Sequence, residues 1–111
     1  MARISTHVLD IAKGAPAAGV PVTLHLAGNL LQSAITNADG RTDSPLLSAN
    51  RIAAGHYELI FSVQAYLRST YPAAEPFFDS ITLRFSVTDE HGHYHVPLLL
   101  APHGYSTYRG S

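Results

Sequence analysis

A two-residue alternation of apolar and polar side chains, repeated in short runs, is what most limits the folds open to this chain. Ser80–Val87 (SITLRFSV) is the cleanest run: Ile81, Leu83, Phe85 and Val87 fall on one side, Thr82, Arg84 and Ser86 on the other. In an extended strand successive side chains point to opposite faces, so such a run buries one face and wets the other; wound as a helix it would scatter apolar surface all round. His56–Val63 (HYELIFSV) repeats the pattern with Tyr57, Leu59 and Phe61 together. Arg3–Asp10 sets Ile4, Thr6 and Val8 against Ser5, His7 and Leu9, and Val20–Ala27 sets Val22, Leu24 and Leu26 against Thr23 and His25. Pro21 has no N–H for a ladder and belongs at a strand's start or on an edge. After the Gly28-Asn29 turn Leu30–Thr36 can return as a further strand, and His93–Leu100 is the final one.

The segments between these runs carry turn chemistry. Gly28-Asn29, Asn37-Ala38-Asp39-Gly40 and Asp89–Gly92 are turns, while Lys13–Gly19 and Pro72–Asp79 are loops. Thr42–Gly55 has little periodicity apart from a short pairing segment near Leu46-Leu47. Gln64–Tyr71 is the one helical window, and Pro72 stops it. Seven to eight short strands with one short helix predict an all-β fold, an antiparallel β-sandwich. At 111 residues the chain is one domain, residues 1–111, with room for one modest core.

Charge and termini narrow the function classes. Charged residues are only 14% of the chain against 46% hydrophobic, which predicts apolar surface covered by another subunit. The net charge is −1, and Arg3, Arg41, Arg51, Arg68, Arg84 and Arg109 stand singly, so no basic stripe exists for nucleic acid. The start MARISTHVLD lacks the apolar run of a signal peptide, and nothing approaches the ~18 consecutive apolar residues of a membrane span. No membrane association and a cytoplasmic location are the expectations.

Several residue sets could carry chemistry. His91, His93 and His95 would share a strand face, a spacing compatible with zinc, which takes three protein ligands and a water in catalytic sites. No acidic residue is patterned to support those imidazoles and His91 falls in the preceding turn, so no metal is assigned. Acid–base use fits better, because an unperturbed imidazole titrates near pH 6.5. His7, in mid-strand, reads as a hydrogen-bonded structural residue or as part of a site; Arg41, just after the Asp-Gly turn, as a solvated cation or as a planar donor fork. The closing Tyr108-Arg109-Gly110-Ser111 reads as a frayed end or as a placed one. Phosphate loops, nucleophile elbows and paired carboxylates are absent, so water would be the nucleophile of any hydrolysis.

Three motifs and the tail together resemble the 5-hydroxyisourate hydrolases, or transthyretin-related proteins. They are Ser5-Thr6-His7-Val8-Leu9-Asp10, Thr36 followed by Asp39-Gly40-Arg41, His93-Tyr94-His95-Val96-Pro97-Leu98-Leu99-Leu100, and the most specific piece, Gly104-Tyr105-Ser106-Thr107-Tyr108-Arg109-Gly110-Ser111. The resemblance spans essentially the whole domain. It implies a transthyretin-like sandwich assembled as a homotetramer, a dimer of dimers, with sites at subunit interfaces. It also implies hydrolysis of 5-hydroxyisourate to 2-oxo-4-hydroxy-4-carboxy-5-ureidoimidazoline in urate breakdown, without metal or organic cofactor. His7, Arg41, His95 and Ser111 would be the catalytic set, with Tyr108 and Arg109 also at the substrate site and placing the tail. Phe78-Asp79, Ala101 and His103 depart from the family's usual residues, which bears on loop shape rather than on the site.

On that reading His7 or His95 activates water while the other orients it or passes a proton, and Arg41 stabilises the oxyanion. Ser111 would add its hydroxyl and its terminal carboxylate as acceptors. A titrating histidine base predicts activity that falls as pH drops through about 6 to 7. Two other readings stay open: a transthyretin-like carrier holding a small hydrophobic ligand in the tetramer channel, and a metal-dependent hydrolase built on His91, His93 and His95.

Overall fold

The computed structural model describes residues 1–111 and contains nine strands and one helix. The strands are β1 (Ala2–Asp10), β2 (Ala15–Pro16), β3 (Pro21–Leu26), β4 (Asn29–Ile35), β5 (Leu47–Ala49), β6 (Gly55–Ser62), β7 (Ser80–Val87), β8 (His93–Ala101) and β9 (Gly104–Thr107); the helix α1 covers Gln64–Thr70. One sheet runs β4-β3-β6-β7. The other runs β2-β1-β8-β9, with β5 also on β1. The alternating runs become strands because each can bury its apolar face against the opposite sheet. Tyr57, Leu59 and Phe61 of β6 meet Ile4 and Val8 of β1 and Leu98 and Leu100 of β8 in one core of 21 buried residues.

Two segments pair that the sequence pattern leaves as loop and tail. Ala15-Pro16 is only two residues long and flanked by glycine and alanine, too short for alternation to register, yet it pairs with Leu9 and Asp10. Gly104–Thr107 pairs with Leu98–Ala101 although three of its four residues are exposed. Pro21 sits at the start of β3, which lies inside its sheet. The pairing is antiparallel throughout except between β1 and β8, which run parallel. A parallel pair needs a long crossover, and these two strands are separated by most of the chain.

The β1–β8 pair is the platform of the site. Their inward side chains, Ile4, Thr6 and Val8 with Tyr94, Val96 and Leu98, are buried, so Arg3, Ser5, His7, His93 and His95 are left on the outer face. Register sets Arg3 beside His93 and Ser5 beside His95. The free edge of β1 is covered in pieces: β5 at Ala2–Ile4, β2 at Leu9–Asp10, and a bridge from His7 to Arg41 in the gap between them.

No buried side-chain nitrogen or oxygen lacks a hydrogen-bond partner. Thr36 donates to the Ala17 carbonyl at 2.7 Å and accepts from Val20 N–H at 2.9 Å, tying the end of β4 to the start of β3. Asp10, 1% exposed at the end of β1, accepts the hydroxyls of Tyr66 and Tyr71 at 2.7 Å and the Lys13 N–H at 3.0 Å. Burial works against its ionisation, but those hydroxyls and backbone N–H groups outweigh it and hold the carboxyl below its ordinary range. Burial and the Asp10 hydrogen bond push both tyrosines up to about 12. This latch ties the only helix, which buries just Leu67, onto β1. No helix is long and apolar enough to cross a membrane.

Candidate active site

The outer face of β1 and β8 forms one wall of a depression of about 350 Å³ lined by Arg3, Ser5, Arg41, His93, His95 and Ser111. No apolar side chain lines it. Two strand partners and two non-strand segments thus converge: the turn after β4 brings Arg41, and the end of the chain brings Ser111.

Arg41 arrives through backbone contacts. Asn37 Oδ1 accepts from the N–H groups of Asp39 and Arg41 at 2.9 and 3.2 Å, closing the Asn-Ala-Asp-Gly turn. Gly40 takes φ +74°, and its carbonyl accepts from Val8 N–H at 2.7 Å. A Cβ there would lie 2.3 Å from the Val8 carbonyl oxygen, so only glycine lets the turn come close enough to bridge Arg41 to His7.

The tail is tethered equally closely. Gly110 N–H donates to the His95 carbonyl at 2.7 Å, outside the β9 ladder. Between them Tyr108 and Arg109 bulge away, and the Arg109 guanidinium lies 4.3 Å over the Tyr94 ring and donates to the His93 carbonyl at 3.1 Å. Tyr108 and Arg109 line a separate cleft with Leu83, Tyr94, Val96 and Thr107, not the polar depression. Ser111 alone of the closing residues faces His95 and Arg41 across that depression.

The histidines differ in what each ring nitrogen faces. His7 Nε2 lies 2.8 Å from the Asp39 carbonyl, which can only accept, so Nε2 carries a proton and a neutral His7 keeps its lone pair on Nδ1. His7 does not line the depression; its ring braces the Arg41 turn. His95 Nδ1 lies 2.9 Å from Ser5 Oγ. Burial, then the nearby charges of Arg41, His7 and Arg3, lowers the His95 pKa below its usual value, so the ring is neutral at neutral pH. His91 Nδ1 faces the Asn50 carbonyl and His93 Nε2 the Met1 carbonyl, each a separate structural contact. The three terminal histidines do not converge, and no group of three or more His, Cys, Asp or Glu side chains is arranged to hold a metal.

Arg3 and Ser5 belong to this wall although no motif singles them out as site residues. The signal for them lies in the alternation of β1, which puts residues 3, 5 and 7 on one face. That the neighbour of Ser5 is His95 depends on the parallel register, which local spacing does not encode.

An imidazole held neutral, a guanidinium and hydroxyls in a polar hollow suit water-based hydrolysis of a polar, planar substrate. Known proteins share this sequence pattern and architecture. A profile of the HIUase/Transthyretin family matches residues 4–110. The chain is similar to the 5-hydroxyisourate hydrolase of Deinococcus radiodurans, 51% identical over 113 residues that span 97% of this chain and 95% of that one. Among solved structures, 5-hydroxyisourate hydrolase from Klebsiella pneumoniae aligns at TM-score 0.87 and 39% identity over 100% of both chains. Transthyretin from Sparus aurata aligns at TM-score 0.84 and 27% identity over 97% of this chain and 96% of that one. By sequence and by fold, this chain belongs to the HIUase/Transthyretin family.

Proposed function

We propose that this protein is a 5-hydroxyisourate hydrolase that opens the six-membered ring of its substrate to give 2-oxo-4-hydroxy-4-carboxy-5-ureidoimidazoline, a step in urate breakdown. The observation that carries the reading is the wholly polar depression holding His95, Arg41 and Ser111 together, in a chain whose full-length relatives carry that name. His95 takes a proton from water through Nε2, the nitrogen without a protein partner. The water oxygen bonds to the ring amide carbon, and the Arg41 guanidinium faces the carbonyl oxygen as it gains charge. Collapse breaks the ring C–N bond, the proton held on His95 passes to the departing nitrogen, and the carbon stays on the five-membered ring as a carboxyl group that releases the second water proton to solvent. His7, its Nε2 committed to Asp39, holds the Arg41 turn and offers Nδ1 as an acceptor. Ser111 hydrogen-bonds the substrate, while Tyr108 and Arg109 act by anchoring the tail.

The site is shared between subunits of a homotetramer in this reading. The apolar side chains Ile11, Tyr105 and Tyr108 are exposed in the single chain. Light scattering should return four times the monomer mass.

The test of function mixes the protein with freshly oxidised urate and follows the ultraviolet decay of 5-hydroxyisourate. Decay at the spontaneous rate would overturn the hydrolase reading. The carrier alternative draws on the same fold and on the likeness to transthyretin. It is disfavoured by the absence of any apolar lining at the depression, since a hydrophobic ligand would gain little there.

A further inference from the structure

The His95 ring is held on two sides by residues that no part of the proposed reaction uses. On one side Ser5 Oγ meets Nδ1 at 2.9 Å, and this is the only side-chain hydrogen bond either group makes. On the other side Gly110 lies against the ring: a Cβ at Gly110 would stand 2.6 Å from His95 Cδ2 and 3.2 Å from Cγ. Gly110 is fixed there by its own N–H, which donates to the His95 carbonyl. Ser5 is fixed by strand register, directly beside His95 in the parallel β1–β8 pair.

We propose that Ser5 is the positioning residue of His95, accepting its Nδ1–H so that the neutral ring keeps Nε2 unprotonated, with Gly110 as the flat surface that fixes the ring's plane. The proposal rests on the hydrolase reading for the role of Nε2, though not for the mount itself.

The chemistry of a reversible base selects this arrangement. A neutral imidazole has one N–H, and an imidazolium has two. If the Ser5 hydroxyl donated to Nδ1, the neutral ring would carry its proton on Nε2 and could not accept one from water; after protonation the same contact would set two donors against each other. With Nδ1–H donating to Ser5 Oγ, one geometry serves both the neutral and the charged ring. The Ser5 hydroxyl proton is then free to face the polar depression that Ser5 also lines. A neutral acceptor has a second consequence. A carboxylate at this position would favour imidazolium and raise the pKa, whereas a hydroxyl adds no charge and leaves burial and the cations Arg3 and Arg41 to set it. His7 and His93 are the other histidines on this face, and Ser111 of the tail lines the same depression.

The experiment combines kinetics with histidine nitrogen NMR on the full-length protein. In wild type, long-range 1H–15N correlation should show His95 Nδ1 as the protonated, pyrrole-like nitrogen and Nε2 as the bare, pyridine-like one. Ser5→Ala should mix the two tautomers and lower kcat by about ten- to a hundredfold, part of the roughly 10²–10⁴ that a placed acid–base group supplies. KM should change less than kcat. Ser5→Thr keeps the hydroxyl and should restore both the tautomer and most of kcat. Ser5→Asp should move the acid limb of the pH profile upward. Gly110→Ala should lower kcat with the Ser5 contact retained and the His95 ring resonances shifted.

A wild-type Nε2–H tautomer, or Ser5→Ala with an unmoved tautomer and unmoved kcat, would overturn the proposal. A rise in KM alone in Ser5→Ala would overturn it too, making Ser5 a substrate contact. If wild type fails to hydrolyse 5-hydroxyisourate, the hydrolase reading falls while the NMR result still decides the mount.

Discussion

Replacing Gly40 with alanine tests whether the site is held to the sandwich through the closed edge of β1. Gly40 adopts φ +74°, where a side chain costs about 1–2 kcal/mol. Its Cβ would lie 2.3 Å from the Val8 carbonyl oxygen, 3.1 Å from Pro16 Cβ and 3.3 Å from Ala17 N. These are atoms of β1, of β2 and of the residue that follows β2, backbone or a proline ring, and cannot swing aside like a side-chain tip. Relief of the clash therefore opens two hydrogen bonds, Val8 N–H to Gly40 and Ala17 N–H to Val8, at 2.7 and 2.9 Å. Each contributes about 0.5–1.5 kcal/mol, which brings the expected loss to about 3 kcal/mol. For a domain of this size that is a fall in Tm of about 10–15 °C. Gly28 supplies the control, since it has φ +82° with nothing within 4 Å of the position an added Cβ would take. Gly28→Ala carries the conformational cost alone, about 1–2 kcal/mol. Urea unfolding and calorimetry of both variants, with turnover measured alongside, separate the two contributions. Gly40→Ala should also lose most activity, because Arg41 moves with the turn, whereas Gly28→Ala should keep it. Equal destabilisation by the two substitutions would refute the steric argument, and full activity in a destabilised Gly40→Ala would refute the coupling of this edge to the site.

Asp10→Ala should cost about 2–4 kcal/mol, because it strands two tyrosine hydroxyls and a backbone N–H that now share one carboxylate. The folded Asp10 pKa lies below the ordinary value, so its stabilisation is present above an unfolded pKa of about 3.9 and is lost as pH falls through the folded one. Urea midpoints taken down an acid series should therefore fall less steeply in the variant than in wild type. Thr36→Val should cost about 1–3 kcal/mol by leaving Val20 N–H and the Ala17 carbonyl without their partner, again read from unfolding curves. Turnover should fall on the acid side as His95 gains its proton, and because its pKa is depressed that fall should lie below the ordinary imidazole value of about 6.5. An inflection at or above that value would point to a different base, whereas loss of the lower inflection in His95→Gln would tie it to this ring.

The alternation in the chain was enough to find six of the strands, the helix that Pro72 ends, and the inward sets Tyr57-Leu59-Phe61 and Ile81-Leu83-Val87. Those are consequences of a period of two and of proline chemistry, both local properties. Ala15-Pro16 and Gly104–Thr107 escaped because a pairing segment that is too short or too exposed leaves no periodic trace. Asp10 ended an apolar strand with nothing nearby in the chain to neutralise it; its partners Tyr66 and Tyr71 are 56 and 61 residues away.

For the site, sequence determined the residue types: a histidine in the middle of β1, another on β8, an arginine after a tight turn, and a polar tail that resemblance joined to them. Tertiary structure decided which of these meet. The parallel register of β1 and β8, two strands with no turn between them, is fixed only when both bury Ile4, Val8, Leu98 and Leu100 in the same core. That register sets Ser5 against His95, divides the tail into an anchor over Tyr94 and a Ser111 at the hollow, and leaves His91 and His93 on contacts of their own. Alternation is a property of neighbouring residues along the chain; register between distant strands is a property of the core they share.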